Sequence, residues 1–260
     1  MNEFVQRSIF GGLYVTLVVV ILRGFPQFTP YLFVLFSALC YREALSLAGL
    51  FGRKITPMLY LLWIGLWAAV YFPEHNTYIL PVASIAFVWS AARSRQSRQA
   101  LLRGVYVMQP FIISILAIKY ELITEEFLLF VFAVIWLNDT GAYLSGKKFG
   151  KHLLAPGISP KKTWEGFVGG IALAVVAQWI LFPFLFENHI AWKAALVAIL
   201  ISCAATMGDL IQSRMKRIAG VKDSGNILPG HGGAFDRLDS FIFALPVALF
   251  FYLIIPGTYL

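Results

Sequence analysis

The sequence predicts an all-α, polytopic membrane protein of about nine transmembrane helices with a cytoplasmic N-terminus. Three observations predict it. Hydrophobic residues fill 59% of the 260 positions, including 23 Phe and 7 Trp, where soluble domains hold roughly 45–50% apolar residues. These residues gather into nine runs, several of them shorter than the about 20 residues that one full crossing needs. The basic residues are also sorted. With the N-terminus inside, 18 of the 21 Lys and Arg fall on the cytoplasmic side, leaving Arg23, Lys119 and Lys193 opposite. That bias orients membrane proteins, and it puts the C-terminus outside.

The runs are 8–22, 29–50, 57–72, 77–92, 104–119, 127–146, 166–186, 191–212 and 240–257. None shows barrel-like alternation, so they must be helices, because a backbone in lipid has to satisfy its own polar groups. The first follows a single Arg, as a signal peptide would. No small-residue cleavage site comes after it, so it is expected to be a retained span. The first five runs make an N-terminal multi-span region, 1–120. The last four make a C-terminal membrane region, 121–260, which carries the polar blocks that follow. The basic stretch RSRQSRQALLRG (93–104) reads as a topogenic loop facing lipid headgroups. Cys40 and Cys203 sit inside apolar runs and read as inert, not as a disulfide or metal pair. The net charge of +8 is explained by topology without a nucleic-acid partner.

Three cytoplasmic blocks carry acids, amides and glycines that topology does not explain. In WLNDTGAYLSGKKFGKH (136–152), Asn138 and Asp139 lie within the sixth run. An acid there is costly and serves either a polar contact between helices or a function. In GISPKKTWEGFVGG (157–170), Ser159, Lys161, Lys162 and Thr163 precede a helix starting near Trp164. Such a helix N-terminus suits an anion such as phosphate, or it is an ordinary capped helix behind a basic loop. The third block, GDLIQSRMKRIAGVKDSGNILPGHGGAFDRLDS (208–240), has Asp209 inside the eighth run with Ser213 one helical turn on. Asp236 and Asp239, at i and i+3, share a helical face at the start of the ninth. With Asp209 they could hold a hard divalent cation, since Mg²⁺ takes one or two carboxylates and fills its shell with water and phosphate. Lys216, Arg217, Lys222 and Arg237 suit the phosphates. Helix-terminal charge complementarity would account for one of these acids, not for the whole set.

SRMKRIAGVKDSGNILPGHGGAFDRLD, Ser213 to Asp239, resembles the signature of the phosphatidate cytidylyltransferases, also called CDP-diglyceride synthases. NDTGAY and SPKKTWEG are similar to further blocks of that family. Ala234 departs from the pattern, standing where larger aliphatic residues are usual. The resemblance implies conversion of CTP and phosphatidate to CDP-diacylglycerol and pyrophosphate with Mg²⁺ and a second cation such as K⁺. It implies that Asp209, Asp236 and Asp239 are metal ligands. Asn138, Asp139, Ser159, Lys161, Lys162, Thr163, Ser213, Lys216 and Arg217 would bind substrate, and Lys222, Asp223, His231 and Arg237 would form the catalytic centre. It further implies a homodimer, multi-pass in the cytoplasmic (inner) membrane, with its site facing the cytoplasm. A CTP-dependent lipid-alcohol kinase would use similar machinery but release CDP. A transporter for anionic metabolites usually shows internal repeats and a site at the membrane midplane; this sequence has no repeat, and its polar blocks crowd one face.

Overall fold

Eight of the nine apolar runs are helices in the computed structural model, which describes residues 3–50, 56–75, 95–185, 191–225, 227 and 232–254. The fourth run, 77–92, lies outside the described residues. Helix α1 spans Glu3–Val19 and runs on through a π-helical turn, Val20–Gly24. Phe25 then leaves helical geometry at φ −141°, ψ 59°, and Pro26 starts a single 3₁₀ turn. Proline removes a backbone donor and fixes its own φ, so the path bends by 116° before α2, Thr29–Leu47. Next come α3 (Thr56–Tyr71), α4 (Arg95–Lys119), α5 (Glu125–Phe149), α6 (Trp164–Leu185), α7 (Ala191–Ile218) and α8 (Phe235–Ile254). Among the described residues, α4, α5, α7 and α8 are long and apolar enough to cross a membrane, and the bent pair makes a fifth if counted as one span. The chain is thus an all-α membrane protein.

One feature is absent from the sequence reading. Between α5 and α6, strands β1 (Leu153–Ala155) and β2 (Ser159–Thr163) form a small antiparallel hairpin, with Ala155 opposite Ser159 and Leu153 opposite Thr163. Pro156 and Gly157 supply the turn, an ordinary hairpin punctuation. Thr163 is also the N-cap of α6, its Oγ1 accepting the Gly166 N–H at 3.1 Å.

The core is aromatic. Phe241 of α8 stacks on Phe132 of α5 with centroids 4.3 Å apart, and both Phe33 of α2 and Phe111 of α4 close on it at 6.0 and 5.8 Å. All four rings are at most 1% exposed. One α8 side chain therefore fixes that helix against three others, two residues past Asp239. Small residues set two further crossings, as is common where lipid gives no hydrophobic drive between helices. A Cβ on Gly141 of α5 would meet the Gly169 carbonyl oxygen of α6 at 2.8 Å. A Cβ on Gly208 of α7 would meet the Asp239 carbonyl oxygen of α8 at 2.6 Å.

Candidate active site

The two glycine crossings bring the polar blocks together. Because Gly208 rests on the backbone of Asp239, its neighbour Asp209 is carried next to α8. Because α5 and α6 cross at Gly141, Asn138 and Asp139 lie beside the start of α6, with Gly170 packed against Asn138. A cavity of about 240 Å³ opens there, lined by Asn138, Asp139, Lys161, Lys162, Thr163 and Asp209, among others. Six residues singled out from the sequence thus share one pocket.

Its electrostatics are organised around three acids. Asp139, Asp209 and Asp239 lie within electrostatic range of one another. Lys162 reaches across from β2 to pair with Asp209 Oδ2 at 2.5 Å. Ser213 donates to Asp209 Oδ1 at 3.0 Å, the contact that its i+4 spacing anticipates. Arg237 acts on Asp139, and Lys216 on Asp239. The amide oxygen of Asn138 is buried without a protein partner, while its Nδ2 donates to Oδ1 of the adjacent Asp139 at 3.5 Å.

Asp236 has a different environment. Its Oδ1 accepts from Lys216 Nζ at 2.6 Å and Gln212 Nε2 at 3.0 Å. Its Oδ2 accepts from Ser224 N at 2.8 Å and Gly233 N at 2.9 Å, with Ser224 Oγ 3.0 Å away. The pair with Lys216 is well buried, at 8% and 12% exposure. Asp236 therefore ties the end of α7 to both ends of the loop before α8. That loop starts because Gly220, at φ +72°, ends α7 in a left-handed turn, with the Val221 N–H closing on the Lys216 carbonyl at 3.0 Å.

The remaining expected residues are placed as follows. Ser159 is half-buried on β2. Arg217 is exposed and clasps the hairpin, its Nε donating to the Ile158 carbonyl at 3.4 Å. Lys222 and Asp223 are exposed on the loop, and His231 lies outside the described residues. Glu165 pins the hairpin's base: Oε2 takes the N–H groups of Lys151 and His152, and Oε1 meets His152 Nδ1 at 2.5 Å. Those partners hold the Glu165 carboxyl down to about 2.

Two site residues were not found by sequence reasoning. Gln212 is buried against Asp236. Glu43 of α2, only 4% exposed, binds the same loop from the N-terminal region. The signal was present, since an acid inside the second apolar run is the same cue that marks Asp139 and Asp209.

Among the described residues no three acids, histidines or cysteines form an all-protein metal cage. The donor set of the pocket, carboxylate and amide oxygen, is nonetheless the hard kind. It fits an ion such as Mg²⁺, which completes its shell with water and phosphate oxygens.

The chain is similar to known proteins. A phosphatidate cytidylyltransferase of Staphylococcus saprophyticus is 48% identical over 130 residues, covering 49% of this chain and 50% of that protein. Those of Staphylococcus haemolyticus and Staphylococcus aureus are 50% identical over 122 residues and 48% over 130. The chain spans about half the length of the curated relatives it matches. The family model matches much further, from residue 5 to residue 255, and the chain belongs to the Cytidylyltransferase family.

Proposed function

We propose that this protein transfers the cytidylyl group of CTP to phosphatidate, releasing pyrophosphate and leaving CDP-diacylglycerol in the bilayer. The observation that carries the reading is the meeting of Asp139 and Asp209 with Lys161 and Lys162 at one pocket between α5, α6, α7 and the hairpin, with Asp239, Arg237 and Lys216 within electrostatic range of its acids. The names of its relatives support it.

The chemistry asks for little beyond charge and alignment. The phosphatidate oxygen that attacks the α-phosphorus of CTP is already an anion, so no covalent nucleophile or strong base is required. The obstacle is bringing two anions together. Lys162, freed from Asp209 when nucleotide binds, reaches the phosphates from β2, with Lys161 beside it. Lys216 and Arg237 flank the acids and offset charge that builds on the leaving pyrophosphate. In this reading Lys222, Asp223 and His231 belong to the catalytic centre, the first two exposed on the loop. Asp209 and Asp239, assisted by Asp139 and the free amide oxygen of Asn138, would hold Mg²⁺. Asp236 would enter that shell only by exchanging its protein donors. Bound there, the ion supplies charge stabilisation and in-line orientation of the transferring phosphoryl group.

In this reading the chain has nine spans, with residues 1–120 as a supporting region and 121–260 as the catalytic one. Its N-terminus is cytoplasmic, its site faces the cytoplasm in the inner membrane, and it works as a homodimer. The charge asymmetry of its loops supports that sidedness. The deciding assay is purified protein with phosphatidate and labelled CTP, with and without Mg²⁺. Mg²⁺-dependent pyrophosphate and CDP-diacylglycerol are the expected products. Release of CDP in a parallel reaction given a long-chain lipid alcohol, with no pyrophosphate from phosphatidate, would make it a lipid-alcohol kinase, and no turnover at all would remove the reading.

A further inference from the structure

Glu43 lies near the end of α2, 181 residues before its first partner in the signature loop. Its carboxylate takes three donors from that loop. Oε1 accepts the Ala234 N–H at 2.9 Å; Oε2 accepts the Phe235 N–H at 3.0 Å and the Ser224 hydroxyl at 2.6 Å. Two of these donors are successive N–H groups at the start of α8, where a helix favours an anion. The third, Ser224, is also bound to Asp236.

A second observation is independent of these bonds. A Cβ on Gly225 would sit 2.6 Å from Glu43 Oε1, and a Cβ on Gly233 would overlap both carboxylate oxygens of Glu43. Two glycines of the signature, one on each side of the loop, thus lie against a side chain from a helix outside it. Neither has a positive φ among the described residues, so backbone conformation does not demand glycine at either position. Space for the carboxylate does.

We infer that Glu43 is a positioning residue for the catalytic loop, and that Gly225 and Gly233 are glycine because its carboxylate must pass between the loop's two ends. The carboxylate holds Ser224, Ala234 and Phe235 in one frame. That frame sets Asp236 on Lys216 and the first turn of α8, from which Arg237 and Asp239 project. Glutamine cannot replace it, because an amide has one oxygen for three donors and turns N–H groups toward the rest. This rests on the cytidylyl-transfer reading for its kinetic readout.

The test uses full-length wild type, Glu43→Gln, Glu43→Asp, Gly233→Ala and the double variant Glu43→Asp/Gly233→Ala, purified in one detergent. CTP and phosphatidate kinetics are measured beside thermal midpoints. Glu43→Gln and Gly233→Ala should each lower kcat by about a hundredfold, the scale of a small misplacement of reacting groups. The KM for CTP should stay within about twofold, because the lost contact is not to nucleotide. The double variant should have a higher kcat and midpoint than Gly233→Ala alone, since the shorter acid withdraws from the added methyl. Lowered midpoints with near-normal kcat per folded molecule would overturn the assignment, leaving Glu43 a brace. So would losses that simply add in the double variant, and that comparison decides the matter even if Glu43→Gln fails to fold. Wild type that converts no CTP removes the cytidylyl-transfer reading instead; coupling of the two positions in the thermal midpoints then decides the contact by itself.

Discussion

Replacing Asp236 with Asn separates a fold-holding acid from a chemical one. The four donors on Asp236 divide between its oxygens, with Lys216 and Gln212 on Oδ1 and the Ser224 and Gly233 N–H groups on Oδ2. An Asn oxygen can serve only one set. Kept toward Ser224 and Gly233, it turns its NH₂ on Gln212 and Lys216. Gln212 can adapt by an amide flip, because its buried Oε1 has no partner and can accept that NH₂. Lys216, 12% exposed, cannot. Breaking a buried pair from one side costs about 3–5 kcal/mol, against a total stability of about 5–15 kcal/mol. At about 2–4 °C per kcal/mol for chains of similar length, Asp236→Asn should lower the thermal midpoint by about 6–20 °C. Adding Lys216→Met should restore part of that, since it removes the stranded charge. Asp239→Asn should do the opposite: it relieves repulsion from Asp139 and Asp209, so the midpoint holds or rises while turnover falls by orders of magnitude. The measurements are thermal midpoints in one detergent and turnover against Mg²⁺ concentration. Asp236→Asn with an unchanged midpoint and a raised Mg²⁺ requirement would refute this division and put Asp236 in the metal shell.

Gly208→Ala should cost about 1–3 kcal/mol of overpacking and most of the activity, because its methyl would press on the Asp239 carbonyl; wild-type turnover would break the link between that crossing and the acids. Lys162→Ala should raise the KM for CTP more than it alters stability, and Lys222→Ala, on an exposed loop, should do the same; unchanged CTP dependence in either would make that lysine merely topogenic. Single cysteines at Gln96 and Tyr120, both exposed, test sidedness in a Cys40→Ala/Cys203→Ala background. Gln96→Cys should label only after permeabilisation and Tyr120→Cys in intact cells, and the reverse pattern would invert the topology.

Much of the architecture was legible from hydropathy. Every apolar run that falls on described residues is a helix, and even the sharp bend sits where Pro26 interrupts the pattern. The hairpin was missed because it is too short to show alternation, although Pro156 and Gly157 mark its turn. Spacing placed Asp236 and Asp239 on one face of α8 but could not say what that face meets. The loop folds back onto Asp236, while the Gly208 crossing delivers Asp209 toward Asp239. Glu43 was hidden for another reason. Its role depends on a contact between α2 and the far end of the chain, and local pattern carries no such pairing.

That long reach has a consequence for how the protein is made. Helices leave the ribosome in order, at about 5–20 residues per second. Glu43 therefore precedes Ser224, 181 positions later, by roughly ten to thirty-five seconds of synthesis. Throughout that interval α2 carries a carboxylate whose native donors do not yet exist, so water or headgroups at the bilayer surface must solvate it. Only when α8 emerges and docks through Phe241 does the acid leave solvent. The frame around Glu43 is thus closed only by α8, and a nascent chain stalled before Phe235 would lack the Phe235 N–H that Glu43 accepts.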